Sequence, residues 1–225
     1  MADWLRVEPF GDAAVLITFG DTIDPMVSRR LQVIARNLAA IPQDRRDFVW
    51  SQPIPGYASL LIPFDPCGIA ADDAAHHFEE LIDELDIDSV PEGRSRVVEI
   101  TVRYGGEDGP DLAEVAERTG LTPDQVVEAH AAVDYTCYFL GFAPGFGYLG
   151  VLAPELELPR RAEPRTRVPA GSVAIVGRQT AVYPSATPGG WHLIGRTEAV
   201  LWDVQREPAS LLAPGDRVRF VPDGG

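Results

Sequence analysis

The sequence contains no lysine: all 19 of its basic residues are arginine. This absence excludes a catalytic Schiff-base lysine. It also excludes a Walker A loop, whose lysine contacts the phosphates of a bound nucleotide. Arginine is the strong base that remains, and its planar guanidinium group suits carboxylates and phosphates.

Cysteines, metal-binding motifs and long apolar runs are equally scarce. The two cysteines, Cys67 and Cys137, have no CxxC spacing, so we expect buried thiols rather than a disulfide or a metal site. No apolar run approaches the roughly 18 residues that span a bilayer. The N-terminal stretch lacks the basic segment and apolar core of a signal peptide. These absences predict a cytoplasmic protein with no membrane partner and no bound metal.

Negative charge dominates the first part of the chain. The formal net charge is −15, which argues against a nucleic-acid partner because nucleic-acid phosphates require a basic surface. Residues 1–136 carry a net −16 and residues 137–225 carry +1. A site for a small anionic substrate is therefore expected in the C-terminal part.

Residues 1–92 predict a small N-terminal domain. Asp24 and Pro25 have the character of a helix N-cap and a first-turn proline, and apolar residues follow at every third or fourth position. A second helix is expected from Ala71, and β-rich runs flank both helices. The order β-α-β-β-α-β, whose last strand falls in residues 95–106, resembles the split βαβ arrangement.

Residues 93–225 predict a second domain, after a linker at residues 88–95. Gly120 is a helix stop, and Thr122 with Gln125 predicts a capping box at the start of the next helix. From Asp134 onward, short β-rich runs alternate with glycine and proline, which is typical of a compact, mostly antiparallel barrel. The predicted fold class is α+β, with a small α/β domain followed by a β-barrel domain.

Three glycines, Gly145, Gly147 and Gly150, have the G-x-G-x-x-G spacing of a dinucleotide-binding turn. That turn works by opening a helix whose N-terminal amides meet the pyrophosphate. Prolines recur every five residues from Pro154 to Pro169, and they exclude a helix of ordinary length. We therefore interpret the stretch as a tight aromatic–glycine loop, whose backbone amides remain an alternative anion site.

The candidate catalytic residues are His130, Arg165 and Arg167. Five arginines lie within residues 160–178, and Arg165 and Arg167 are the candidates for holding a carboxylate or phosphoryl group. The alternative is that they are surface residues or pair with the acidic first part. His130 is a candidate general base, although its place near a helix C-terminus also accounts for it. For His192, a structural histidine is favoured over a general base.

Three motifs together resemble a known family: "GFAPGFGYLG", "PRTRVPAGSVAI" and "TPGGWHLIGRT". The chain is identified by them as similar to the 5-oxoprolinase B-subunit family. That family is also called allophanate hydrolase subunit 1, and it includes a sporulation-kinase inhibitor branch. It corresponds to subdomains C and D of a carboxyltransferase domain. The resemblance implies a cyclophilin-like β-barrel domain that follows a smaller α/β domain in the sequence.

The resemblance also implies a function. The family member is one subunit of an ATP-dependent 5-oxoprolinase, which activates 5-oxoproline for ring opening to glutamate. Its implied partners are a homologous barrel subunit, similar to allophanate hydrolase subunit 2, and a third lactam-utilisation subunit, with ATP shared among them. The residues expected to shape the substrate pocket are Pro144, Gly145, Phe146, Tyr148, Gln179, Tyr183 and Trp191.

Two departures and two alternatives stay open. Ala181 and Val151 stand where the family pattern has glycine, and Ala181 bears on any close approach of backbone to ligand. One alternative function is a regulatory binder that inhibits a sensor histidine kinase. The other is a carboxyltransferase-type subunit of a urea or allophanate pathway. An amidase with Ser-Ser-Lys chemistry is excluded, because the chain has no lysine.

Overall fold

The computed structural model describes residues 5–20, 24–88 and 96–224. The chain divides into two units, Met1–Gly93 and Arg94–Gly225. All but the first residue of the predicted linker 88–95 lies outside the described residues, and so does the predicted boundary between residues 92 and 93.

The α-helices begin and end at the residues that cap them. In the described residues they are α1 (Pro25–Ala40), α2 (Ala71–Asp83), α3 (Leu112–Thr119) and α4 (Pro123–Ala131). The Asp24 carboxylate accepts a hydrogen bond of 2.7 Å from the backbone N–H of Met26, which confirms the predicted cap of α1. Gly120 ends α3 in the left-handed conformation, and Thr122 and Gln125 form the predicted capping box of α4.

The strands of the described residues form three sheets. They are β1 (Arg6–Pro9), β2 (Ala14–Thr18), β3 (Ile54–Pro55), β4 (Ser59–Pro63), β5 (Val97–Tyr104), β6 (Asp134–Leu140), β7 (Gly147–Gly150), β8 (Arg165–Val168), β9 (Ser172–Val176), β10 (Gln179–Val182), β11 (Thr187–Gly189), β12 (His192–Arg196) and β13 (Arg217–Pro222). A short pair, β8 with β11, stands apart from the two larger sheets.

The first unit is a four-stranded antiparallel sheet in the order β1-β2-β4-β3, packed with α1 and α2. Residues one turn apart on α1 supply Leu31, Ile34 and Leu38 to its core, and α2 supplies Phe78. All four side chains are almost completely buried. The helical apolar spacing thus becomes one face of each helix against the sheet.

The predicted order of elements assigned one strand to the wrong unit. The order β-α-β-β-α-β placed the strand within 95–106 in the N-terminal arrangement, but β5 belongs to the barrel. It pairs in parallel with β13 and antiparallel with β12. The partners of a strand lie far away in the sequence, so its β-rich composition showed that it exists but not which sheet it joins.

The second unit is built on a closed barrel in the order β10-β7-β6-β13-β5-β12-β9. Every neighbouring pair is antiparallel except β13 with β5. Closure leaves no exposed sheet edge. The barrel after a smaller α/β unit confirms the predicted fold class.

Residues on alternate positions of the barrel strands face two different cores. Along β9, Val173 and Ile175 enter the barrel interior, whereas Ala174 and Val176 enter a second cluster. Successive strand residues point to opposite faces, so one short strand serves both cores. The second cluster also contains Tyr183 and is the floor of the candidate site.

In the described parts of the chain, no helix combines the length and apolarity needed to cross a membrane. Cys137 is buried, as expected, but Cys67 is exposed. Its backbone N–H donates to the Asp65 carboxylate in the turn that follows β4. The prediction of a buried thiol is therefore wrong for Cys67, because a tight surface turn holds it away from the core.

Candidate functional site

The glycine stretch is a packed loop followed by a strand. Gly145 has φ +82°, and a Cβ there would lie 2.9 Å from the carbonyl oxygen of Leu201. Gly147 and Gly150 lie in β7, and a three-residue 3₁₀ turn at Pro154–Leu156 follows instead of a helix. The glycines are therefore required by close packing and turn geometry, and the stretch is not a dinucleotide-binding turn.

The loop and the following strands enclose a pocket of about 270 Å³. Its lining residues are Phe142, Phe146, Tyr148, Arg160, Arg161, Pro164, Tyr183, Pro188, Gly189, Gly190 and Trp191. Four of them, Phe146, Tyr148, Tyr183 and Trp191, are residues that the sequence analysis assigned to a substrate pocket. All lie in the part of the chain without excess negative charge.

Aromatic rings pack edge to face to form the pocket wall. The ring centroid of Phe146 lies 5.4 Å from that of Tyr183 and 5.8 Å from that of Trp191. Tyr183 is 2% exposed and Trp191 is 4% exposed. Rings held at these distances and this depth keep a fixed orientation, so the wall is preformed.

The polar groups at the pocket are hydrogen-bond donors. The hydroxyl of Tyr183, the indole N–H of Trp191 and the guanidinium of Arg160 make no hydrogen bond to another described residue. No lining residue is acidic, whereas two other pockets are lined by Asp124 and Glu128 or by Glu99, Glu198 and Asp223. A lining that offers donors and contains no acidic residue favours an anion or a carbonyl-bearing ligand.

Both tyrosines at the pocket are neutral. Burial raises the pKa of Tyr183 to about 12, against the smaller opposing effects of Arg160 and Arg165. Burial also raises the pKa of Tyr148, again opposed by Arg160. Each phenol therefore keeps its proton near neutral pH and can donate it in a hydrogen bond.

A tight glycine contact shapes the pocket beside Tyr183. A Cβ on Gly189 would collide with the Tyr183 hydroxyl oxygen. The hydroxyl thus occupies space that any other residue at position 189 would fill. The absence of a side chain at Gly189 therefore leaves room for the Tyr183 hydroxyl beside the pocket.

Asp111, which the sequence analysis missed, is the centre of the charges behind the pocket. Its carboxylate is 3% exposed and lies just before α3. It accepts hydrogen bonds from Arg165 Nη1 and Nη2 at 2.9 and 2.7 Å, and from Arg161 Nη1 at 2.9 Å. The backbone N–H of Leu193 donates to it as well, at 2.7 Å. A buried charge with four such donors is fully compensated.

The segment that carries the pocket arginines is fixed at several points. His192 is buried, and its Nε2 lies 2.9 Å from the carbonyl oxygen of Pro159. The backbone N–H of Arg161 donates to the carbonyl of Gly190 at 2.9 Å. His192 therefore has the structural environment that the sequence favoured for it, and it helps to position the arginines.

The other predicted site residues lie outside the pocket lining. Arg165 is half-buried, and both of its Nη atoms are bound to Asp111. Arg167, two residues further on β8, is exposed. Gln179 pairs with Gly150 and Val176 in the barrel wall. Pro144 is an exposed loop residue, and Gly145 packs against Leu201 rather than lining the pocket.

His130 lies inside the barrel and is completely buried. Its Nδ1 is 2.7 Å from the hydroxyl of Tyr104, and its Nε2 is 2.8 Å from Thr180 Oγ1. Thr180 in turn donates to the carbonyl of Ala174, so Thr180 accepts from Nε2–H and Tyr104 donates to Nδ1. Burial lowers the pKa of His130 to about 3. This is the setting of a neutral structural histidine.

Comparison with known proteins identifies the family of this chain. A family described as "Carboxyltransferase domain, subdomain C and D" matches residues 5–212. The 5-oxoprolinase B subunit of Escherichia coli O157:H7 is 44% identical over 94% of this chain and 93% of its own length. The 5-oxoprolinase B subunit of Bacillus subtilis strain 168 is 40% identical over 96% of this chain and 92% of its own. The chain belongs to the 5-oxoprolinase B-subunit family.

Solved structures share the fold of this chain. TTHA0988 is 38% identical with a TM-score of 0.80, and this chain spans 95% of its own length but only 40% of the TTHA0988 chain. The urea carboxylase of Kluyveromyces lactis, at 18% identity and a TM-score of 0.75, shares the fold over 97% of this chain and 22% of that one.

One departure from the pattern of the 5-oxoprolinase B-subunit family has a clear place in the structure. Ala181 is completely buried in the cluster beneath the pocket, opposite Ala174 of β9. Its methyl group packs with Tyr183 and Trp191 in that cluster rather than lining the pocket.

Within the described residues, no group of three or more His, Cys, Asp or Glu side chains is placed to hold a metal ion.

Proposed function

We propose that this chain is the B subunit of a cytoplasmic, ATP-dependent 5-oxoprolinase and that its pocket receives 5-oxoproline. Relatives of nearly the same length are named as the B subunits of 5-oxoprolinases. The observation that carries the proposal is the pocket, which combines aromatic walls with hydrogen-bond donors and has no acidic lining residue. 5-Oxoproline matches it, since it is a small ring with a carboxylate and a lactam carbonyl.

The proposed chemistry explains why ATP is needed. A lactam carbon is a poor electrophile, so water attacks it slowly. Transfer of the γ-phosphoryl group from ATP to the lactam oxygen releases ADP and creates a good leaving group. Water then adds to the same carbon, and the ring C–N bond breaks to give γ-glutamyl phosphate. A second water hydrolyses this acyl phosphate, which releases glutamate and phosphate. The residues of this chain bind and orient the ring, and neutral Tyr183 can donate a hydrogen bond within the pocket.

The proposed ATP site is shared with partner subunits. The glycine stretch of this chain opens a strand rather than a helix, so it offers no phosphate-binding helix N-terminus of the usual kind. We assign the companion role to a homologous barrel subunit, similar to allophanate hydrolase subunit 2, with a third lactam-utilisation subunit completing ring opening. In this assembly Arg160 attracts the anionic substrate, Arg165 positions Asp111, and a role for Arg167 stays a prediction.

The test is turnover by the complete set of subunits. With 5-oxoproline and ATP, the wild-type complex should release glutamate and phosphate together. Arg160→Ala should raise the KM for 5-oxoproline roughly threefold to tenfold, because it removes a charge next to a bound anion. Arg178→Ala is the matched control, since Arg178 is exposed and outside the pocket. Turnover of urea or allophanate in place of 5-oxoproline would contradict the proposal.

A further inference from the structure

We propose that Arg161 binds the carboxylate of the ligand through Nε and Nη2, the two side-chain nitrogen atoms that make no hydrogen bond to another described residue. This inference rests on the proposed function for the identity of the ligand. It assigns carboxylate recognition to Arg161 instead of Arg165 or Arg167. The corresponding ligand class is a small ring that carries a carboxylate, as opposed to a neutral lactam.

The first observation is an unpaired donor at the pocket. Arg161 lines the pocket, and its Nε is buried from solvent without a hydrogen-bond partner in the described part of the chain. A buried N–H without an acceptor costs free energy, so native proteins rarely leave one unpaired. A ligand oxygen at this position supplies the missing acceptor.

The second observation is that one nitrogen atom of the guanidinium, Nη1, is already bound to carboxylates. Arg161 Nη1 donates to Asp111 at 2.9 Å and to Glu114 at 3.1 Å. No hydrogen bond joins Nη2 to another described residue. The remaining pair, Nε and Nη2, is the edge whose two parallel N–H groups match the two oxygens of a carboxylate.

The third observation is the rigid mounting of this edge. The backbone N–H of Arg161 is bound to Gly190, and Pro159 is bound to His192. The Arg161 side chain is still 23% exposed and lines the pocket, so a ligand in the pocket can reach its outer end. A donor pair held in place before binding loses little entropy when the ligand arrives.

The neighbouring arginines do not offer the same edge. Both Nη atoms of Arg165 are bound to Asp111, so its outer end is occupied. Arg160 is exposed, and an exposed guanidinium attracts anions but fixes their orientation poorly. Arg161 is the pocket arginine that combines a buried donor with a fixed orientation, and the aromatic wall beside it accommodates a flat ring.

The experiment is a binding titration of the full chain with its partner subunit, using isothermal calorimetry. The probes are 5-oxoproline and 2-pyrrolidinone, which has the same ring without the carboxylate. The wild-type complex should bind 5-oxoproline at least tenfold more tightly than 2-pyrrolidinone. Arg161→Lys keeps a positive charge for Asp111 and Glu114 but removes the paired donors, so its Kd for 5-oxoproline should rise roughly tenfold to a hundredfold. Its Kd for 2-pyrrolidinone should not change.

Arg178→Lys is the matched control and should bind both probes as the wild type does. Glu114→Gln is the second variant, because Glu114 is 45% exposed and its loss does not threaten folding. It should raise the Kd for 5-oxoproline roughly twofold to fivefold by loosening Nη1. Equal binding of the two probes by the wild type overturns the inference. So does unchanged 5-oxoproline binding in both Arg161→Lys and Glu114→Gln.

The inference and the proposed function fail in different ways. If the complex binds 5-oxoproline through Arg161 but releases neither glutamate nor phosphate, the function is wrong and carboxylate recognition stands. If the complex turns over 5-oxoproline and Arg161→Lys leaves both Kd and KM unchanged, the function stands and the role of Arg161 is wrong.

Discussion

Asp111 sets the charge balance behind the pocket at the scale of a single residue. One buried carboxylate neutralises Arg165 and, with Glu114, also Arg161. Two guanidinium groups can therefore approach each other behind an aromatic wall without leaving an uncompensated buried charge. The carboxylate also binds the backbone of Leu193, so it connects the start of α3 to β12 and fixes the strand that follows Trp191.

Asp111→Asn should destabilise the barrel unit by about 3 to 5 kcal/mol, because it removes one partner of a buried ion pair and leaves Arg165 uncompensated. Urea unfolding of the full chain measures the change. Asp108→Asn is the matched control: Asp108 lies three residues earlier and pairs with Arg103 at a more exposed site, so its loss should cost no more than about 1 kcal/mol. Equal costs for the two variants would contradict the central role of Asp111.

At the scale of elements, the His130 side chain connects three segments inside the barrel. It extends from α4 to Tyr104 on β5 and to Thr180 on β10. The Tyr135 hydroxyl on β6 donates to the His130 carbonyl. These hydrogen bonds lie in an apolar interior where each is costly to lose. α4 is thus attached to the barrel by polar contacts as well as by packing.

This arrangement predicts stability that depends on pH. The pKa of His130 falls from 6.5 to about 3 in the folded chain, so below pH 6.5 the unfolded chain binds a proton that the folded chain does not. Stability is full above pH 6.5 and declines as the pH falls toward 3. The His130 contribution should amount to about 2 kcal/mol lost between pH 7 and pH 5.

Urea unfolding at both pH values measures this loss. His130→Gln, which does not titrate, should remove about one proton from the pH dependence. His76→Gln is the control, because His76 is exposed on α2. The same pH dependence in wild type and His130→Gln would show that the buried histidine does not control acid stability.

The predictable features of this chain are local ones. The cap at Asp24 and the capping box at Thr122 depend on neighbouring residues, so the sequence alone identified them. The aromatic pocket residues followed from family motifs. The contact of Asp111 with Arg165 joins residues 54 apart in the chain, and no local pattern marks it. For the same reason the sequence made Arg165 a candidate site residue and not Arg161, although the fold leaves Arg161 with the unpaired donor.

At the scale of the whole molecule, the barrel is closed by strands from its two ends in sequence. β5 is the first strand of the second unit and β13 is the last, and the two pair along their length from Val97 with Arg217 to Val102 with Pro222. β13 also pairs with β6, so it occupies an internal position in the barrel. Closure must await the last strand, which is a long-range contact of the kind that slows folding.

Truncation tests this closure. A chain that stops after Asp216 lacks β13, which exposes the edges of β5 and β6 and opens the barrel core. We expect it to lose the cooperative unfolding of the barrel unit and its near-ultraviolet circular dichroism. A chain that stops after Asp223 keeps all of β13 and should unfold as the full chain does. A folded barrel in the shorter chain would contradict the closed topology.

The contact between Gly189 and the Tyr183 hydroxyl has a consequence for inheritance. Because a Cβ at position 189 would collide with that hydroxyl, each single mutation away from glycine must displace the tyrosine and reshape the pocket. Descendants that preserve ligand binding should therefore retain this glycine together with Tyr183, or replace both. In newly sequenced genomes, a homologue that keeps the barrel core but has lost both Gly189 and Tyr183 would indicate a lineage in which selection no longer maintains the pocket.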